Sequence, residues 1–176
     1  MKKRFLCLLI ALLLLLAGSA LAQDYTASGL FSISYDEGTY SLNSTEYLGD
    51  TQDNGLWLFI VYNTDAIFDV TIDLEPTLGN LSLVHPTKAQ IEDHIYLVEE
   101  GYQDLDATLM QTLTLENGVV FNLFRLRDSY GIFYLAQTVV QGYAIDFKAY
   151  YADNRDGDTS LLTALGDLVS TFRPAP

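Results

Sequence analysis

Cysteine is almost absent from this chain. The only one, Cys7, lies in an amino-terminal apolar run, and residues 23–176 have none. Disulfides and thiol nucleophiles are therefore excluded from that stretch, which must hold itself by burial and hydrogen bonding. Histidine is nearly as scarce: His85 and His94 are the only two, and a separation of nine residues fits no common zinc spacing. Basic residues are few, 9 Lys and Arg against 23 Asp and Glu, for a formal net charge of −14. A field of that sign repels nucleic acid and anionic membrane surfaces, so neither is expected as a partner. A glycine-rich phosphate loop and a dinucleotide fingerprint are also missing, and no cofactor is expected.

What is present begins with an address. Lys2, Lys3 and Arg4 precede an apolar run from Phe5 to Ala17, and Ala20-Leu21-Ala22 places small residues where a signal peptidase reads. The pattern predicts a signal peptide over residues 1–22, cleaved between Ala22 and Gln23, and a secreted or periplasmic protein. The apolar run falls short of the roughly 20 residues of a spanning helix, so no membrane anchor is expected after cleavage. Residues 23–176 would then carry 6 basic against 23 acidic residues, a formal charge of −17, in one domain. An exported domain without disulfides points to a bacterium rather than a eukaryotic secretory pathway.

That domain is rich in tyrosine, phenylalanine and β-branched residues, with turn signals at short intervals, which favours sheet. Strands are predicted over Gly29–Tyr35, Thr39–Ser44, Leu56–Tyr62 and Ile67–Leu74. The almost wholly apolar Leu56–Tyr62 suits a strand covered on both faces. The period then changes: Ile91, Ile95, Val98 and Tyr102 form one apolar stripe on a helix. Thr87 and Gln90 have capping-box spacing, and Gly101 is a suitable stop. From Ala107 to Tyr151 a four-strand meander is predicted, turning at Asn117-Gly118, Asp128–Gly131 and Gln141-Gly142. A last amphipathic helix follows in SLLTALGDLVSTF, with Leu161, Leu165, Leu168, Val169 and Phe172 on one face.

Three stretches carry a family likeness: FSISYDEGTYSLN, the meander LENGVVFNLFRLRDSYGIFYLAQTVVQGYAIDFKAY, and a final helix ending in Ser170-Thr171-Phe172. In this order of elements the chain resembles the PsbP-like family, which includes a photosystem subunit, a Ran-binding nuclear import factor and exported bacterial domains. The likeness covers nearly all of the chain after the signal. Relatives often have a proline after the first strand, where this chain has Asp36. The resemblance implies an α+β fold, an α/β/α sandwich around a curved antiparallel sheet, serving as an adaptor or accessory module. Fold does not fix function, so it assigns no site residue.

Chemistry has few places to sit. His85 reads as a loop residue and His94 as half-buried beside the apolar stripe. Carboxylate pairs could serve a hydrolase, but 23 acids make chance pairs inevitable. Along the last strand of the meander Tyr143, Ile145, Phe147, Ala149 and Tyr151 alternate; they read as core under a helix, with a ligand-stacking ladder as the alternative. The segment DNRDGDTS (residues 153–160) looks like a calcium loop. With Gly157 in the sixth position, however, Ala152 and Thr163 stand where an acid and a bidentate glutamate are needed. It reads instead as a helix entrance capped by Asp158 or Thr159.

One constellation follows from hairpin arithmetic. If Asn117-Gly118 and Gln141-Gly142 are two-residue turns, Glu116 faces Val119 and Val140 faces Tyr143. Asp128 opposite Gly131 then aligns Asn122, Gln137 and Asp146 across three strands. In the next row Phe124, Leu135 and Lys148 align, with Gln111 at the far edge. Gln111, Asn122, Gln137, Asp146 and Lys148 would form a polar patch on one sheet face, a candidate ligand pocket or partner surface. A glycine bulge at Gln141-Gly142 would shift the register by one and dissolve it. The leading expectation is a non-enzymatic exported domain that binds an unidentified protein or small molecule. A carboxylate-dependent hydrolase or a calcium-stabilised surface protein is the alternative.

Overall fold

The structure, a computed structural model, describes residues 22–27, 30–36, 39–45, 55–62, 65–73 and 78–175, with side chains left undescribed over 22–27, 42–45, 55–62 and 69–73. The predicted signal peptide thus lies outside the described residues, apart from Ala22 at its end. The side-chain cover expected for Leu56–Tyr62 lies outside them as well.

The strands are β1 (Ala22–Ala27), β2 (Phe31–Asp36), β3 (Tyr40–Thr45), β4 (Gly55–Tyr62), β5 (Ala66–Asp73), β6 (Thr108–Thr114), β7 (Val120–Asp128), β8 (Gly131–Val140), β9 (Tyr143–Tyr151) and β10 (Arg173–Pro174). Helix α1 (Lys88–Gly101) and a 3₁₀ turn at Gln103–Leu105 lie between β5 and β6, and α2 (Thr159–Ser170) lies between β9 and β10. Seven strands form one antiparallel sheet in the order β3-β4-β5-β9-β8-β7-β6. The meander is as expected.

The single sheet is not. β2, expected as a first strand, leaves the main sheet and forms a small one with β1 and β10. β1 pairs with β2 from Ala22↔Asp36 to Ala27↔Phe31, and Arg173 pairs with Ser32. Neither partner of β2 was expected from local pattern. The two-residue β10 has no periodicity to read.

The small sheet and α2 share one face of the main sheet. Their core joins Phe31 and Ile33 to Phe121, Phe147 and Leu165. Phe172, just past the end of α2, stacks on Phe31 at 4.9 Å and meets Phe121 edge-on at 5.1 Å. Ile145, Phe147, Ala149 and Tyr151 are buried there, with Tyr143 packed alongside, so the alternating strand is core.

Helix α1 covers the other face, over β6–β8. Its start is closed by the expected capping box: the Gln90 N–H donates to Thr87 Oγ1 (3.3 Å) and the Thr87 N–H to Gln90 Oε1 (2.9 Å). At its far end the Tyr102 N–H bonds to Val98 O at 2.9 Å. The apolar contacts beneath α1 fall into two groups. Ile91 packs near Leu83, Val120 and Val139, while Ile95, Val98 and Tyr102 pack with Phe124, Leu126 and Leu135. The sheet row between these groups is Asn122 and Gln137.

Candidate functional site

The two turns that set this row behave differently. Gln141 and Gly142 have φ of 54° and 84°, and Val140 faces Tyr143, so this is the expected two-residue hairpin. At the other turn the Leu115 N–H bonds to Val119 O and Thr114 faces Val120, which makes Glu116–Gly118 a three-residue loop. Asn117 holds that longer loop: its Oδ1 accepts the Val119 N–H at 3.1 Å and its Nδ2 donates to Phe172 O at 2.8 Å. Gly118, at φ +82°, supplies the left-handed residue that closes it.

The extra loop residue moves β6 by one position. Gln111 faces Leu123, on the opposite face from Asn122, and it is exposed. Gln111 is therefore not part of the patch. Thr112 takes the place beside Asn122, and a bulge at Met110 then brings Leu109 opposite Phe124.

Asn122, Gln137 and Asp146 do stand side by side. They are not open to a ligand from above, however. Asn122 is 0% exposed, Gln137 7% and Asp146 9%, and the lid over Asn122 and Gln137 is His94 of α1. Expected to be half-buried, His94 is fully buried. It points between the two apolar groups and joins a continuous chain of hydrogen bonds. Thr112 Oγ1 donates to Asn122 Oδ1 (2.8 Å), and Asn122 Nδ2 donates to His94 Nδ1 (2.9 Å). His94 Nε2 donates to Gln137 Oε1 (2.8 Å), and Gln137 Nε2 donates to Asp146 Oδ1. The hydroxyl of Tyr102 reaches the other Asp146 oxygen at 3.4 Å.

The carboxylate fixes the direction of the whole chain. Asp146 can only accept here, so the Gln137 amide turns its nitrogen to it and its oxygen to His94. His94 must then carry its proton on Nε2 and accept on Nδ1. Burial lowers its pKa to about 4, against the small opposing effect of the Gln137 bond. The imidazole is neutral, and its two hydrogen bonds run to Asn122 and Gln137, with Gln137 carrying the chain on to Asp146. Tyr102 is held well above its usual range, first by burial and then by the nearby Asp146 charge.

Tyr102 also lines a cleft of about 300 Å³. Its walls include Tyr130, Phe133, Lys148, Tyr150 and Arg155. Lys148 keeps its expected row, opposite Leu135, but belongs to this cleft and not to the buried chain. Tyr130 is 68% exposed at the rim. Asp128 lies there too, with its Oδ1 accepting the Tyr130 and Gly131 N–H groups at 2.8 and 3.0 Å to close the β7–β8 turn.

The loop of residues 153–160 is the expected helix entrance. Asp158 Oδ1 accepts from the Ser160 and Leu161 N–H groups and from the Tyr151 hydroxyl (2.8 Å). Those bonds hold the Asp158 carboxyl below its usual pKa, the Tyr151 bond first. Asp156 accepts from the Ile132 N–H and pairs with Arg127 at 3.2 Å, while Asp153 meets Arg155. These oxygens are turned to protein donors.

No local pattern in the sequence joins His94, Tyr102 and Thr112 into one site. A signal for His94 existed: it lies three residues after Ile91 and four before Val98, on the inward stripe itself.

The comparisons with known proteins bear on the fold. The structure matches the solution structure of cyanobacterial PsbP (CyanoP) from Synechocystis sp. PCC 6803, with a TM-score of 0.51, 15% identity, and coverage of 89% of this chain and 94% of that one. The fold is PsbP-like. No family model matches the sequence, and no curated protein does. At that identity the likeness extends to architecture: a PsbP-like domain of α+β class, with a main antiparallel sheet between α1 on one side and α2 with the small sheet on the other. Among the described residues no helix is long and apolar enough to cross a membrane.

Proposed function

We propose that this PsbP-like domain is an exported, non-enzymatic binding module, and that the cleft beside Tyr102 takes a small ligand or a partner's side chain. The observation that carries this reading is the closed hydrogen-bond chain at His94. Its polar groups are spent on one another, with a neutral imidazole, which suits a scaffold better than a proton-transfer site. The groups facing outward beside it are tyrosine rings and the Lys148 ammonium, a surface for an aromatic or apolar body bearing a negative group. The basic-apolar-small pattern of residues 1–22 supports export.

The test is binding of small aromatic carboxylates to protein expressed from the full sequence, followed by backbone amide shifts. Saturable shifts at Tyr130, Lys148 and Tyr150 are expected, with affinity about tenfold weaker in Lys148→Ala, equivalent to ~1.4 kcal/mol. Shifts confined elsewhere would refute the cleft. Turnover of an ester or glycoside that Asp146→Asn abolishes would instead establish the carboxylate hydrolase.

A further inference from the structure

The outward face of α1 is costly for this protein to keep. Tyr96 is 63% exposed and Leu97, beside it, 43%. The helix positions that neighbour residue 96 are 92, 93, 99 and 100, three and four residues away, and all four are acidic: Glu92, Asp93, Glu99 and Glu100. Lys88 pairs with Glu92 at 3.0 Å; among the described residues the other three have no ion-pair partner. Glu99 and Glu100 also sit in the last turn, where the helix dipole disfavours negative charge, and no basic residue stands there to offset them.

An aromatic ring framed by carboxylates is unfavourable alone and complementary to one class of partner. A Lys or Arg head group can lie over the ring by cation–π attraction while the carboxylates pair with it. We propose that the α1 face docks a basic segment of a partner protein, with Tyr96 as the aromatic anchor and Asp93, Glu99 and Glu100 as its charge partners. This surface is separate from the cleft and stands whether or not the cleft binds a ligand. A second copy of the chain would bring like charges together, and an anionic lipid surface would be repelled.

The probe is an octa-arginine peptide added to the protein, with binding measured by calorimetry and located by amide shifts. Tyr96→Ala should weaken binding about fivefold, the factor for an exposed cation–π contact of ~1 kcal/mol. The double change Glu99→Gln/Glu100→Gln should weaken it further while raising Tm, because it removes charge from the wrong end of the helix dipole. Weaker binding in a more stable protein cannot come from misfolding. A control losing the same charge elsewhere, Glu116→Gln/Asp167→Asn, should keep the affinity within about twofold, as expected of remote exposed charges. An equal loss in the control, or unaltered binding by Tyr96→Ala, would overturn the proposal and leave only general attraction to an acidic protein.

Discussion

Replacing His94 by leucine should change not only how stable the protein is but how its stability depends on pH. In the folded protein burial lowers the pKa of the imidazole from its usual 6.5 to about 4. An imidazolium would set its Nδ1–H against the Asn122 NH₂, donor to donor, and would place a charge where burial disfavours it. Protonation therefore favours the unfolded state. The stability tied to His94 is complete above pH 6.5, falls as pH drops towards 4, and levels off below. At 1.36 kcal/mol per unit the loss approaches ~3 kcal/mol, a large share of the ~5–15 kcal/mol typical of a domain. His94→Leu removes the titration but leaves Asn122 Nδ2 and Gln137 Oε1 buried without a partner, at about 1–3 kcal/mol each. The variant should thus be clearly weaker than the parent at pH 7.5, and the gap should shrink by ~3 kcal/mol by pH 4. Denaturant titrations of both proteins at each pH measure the gap directly, and the shared acids cancel in the difference. A gap that stays constant, or widens in acid, would refute the neutral, buried imidazole.

Two further outcomes follow from the turns. Asp158→Ala should lower Tm by a few degrees, equally in calcium and in chelator, since it removes the cap of α2 and the Tyr151 partner; a calcium-dependent rise in the parent, lost in Asp156→Ala, would restore the metal reading. Gly118→Ala should cost at least ~1–2 kcal/mol for a left-handed non-glycine residue, and more because the new Cβ would fall 2.0 Å from the His85 ring; a denaturation midpoint unchanged from the parent would show that this loop is not held as described.

Much of the fold could be read from the chain because its causes are local. The α1 stripe, the Thr87–Gln90 box, the alternation of β9 and the Asp158 cap each depend on residues a few positions apart. So does the Gln141-Gly142 turn, and with the Asp128–Gly131 turn it aligned Asn122, Gln137 and Asp146. What the chain alone could not decide depended on atoms far away in sequence. The Glu116–Gly118 loop is held in part by Asn117 donating to Phe172, 55 residues on, and that bond exists only once α2 has docked; with the loop goes the register that excludes Gln111 and admits Thr112. The small sheet likewise takes one of its strands, the two-residue β10, from the far end of the chain, beside the pairing of β2 with β1. Above all, a row of polar side chains on a sheet looks the same in sequence whether it faces water or a helix. The packing of α1 buried that row, and burial made a neutral histidine, an oriented amide and one carboxylate into a single bonded chain.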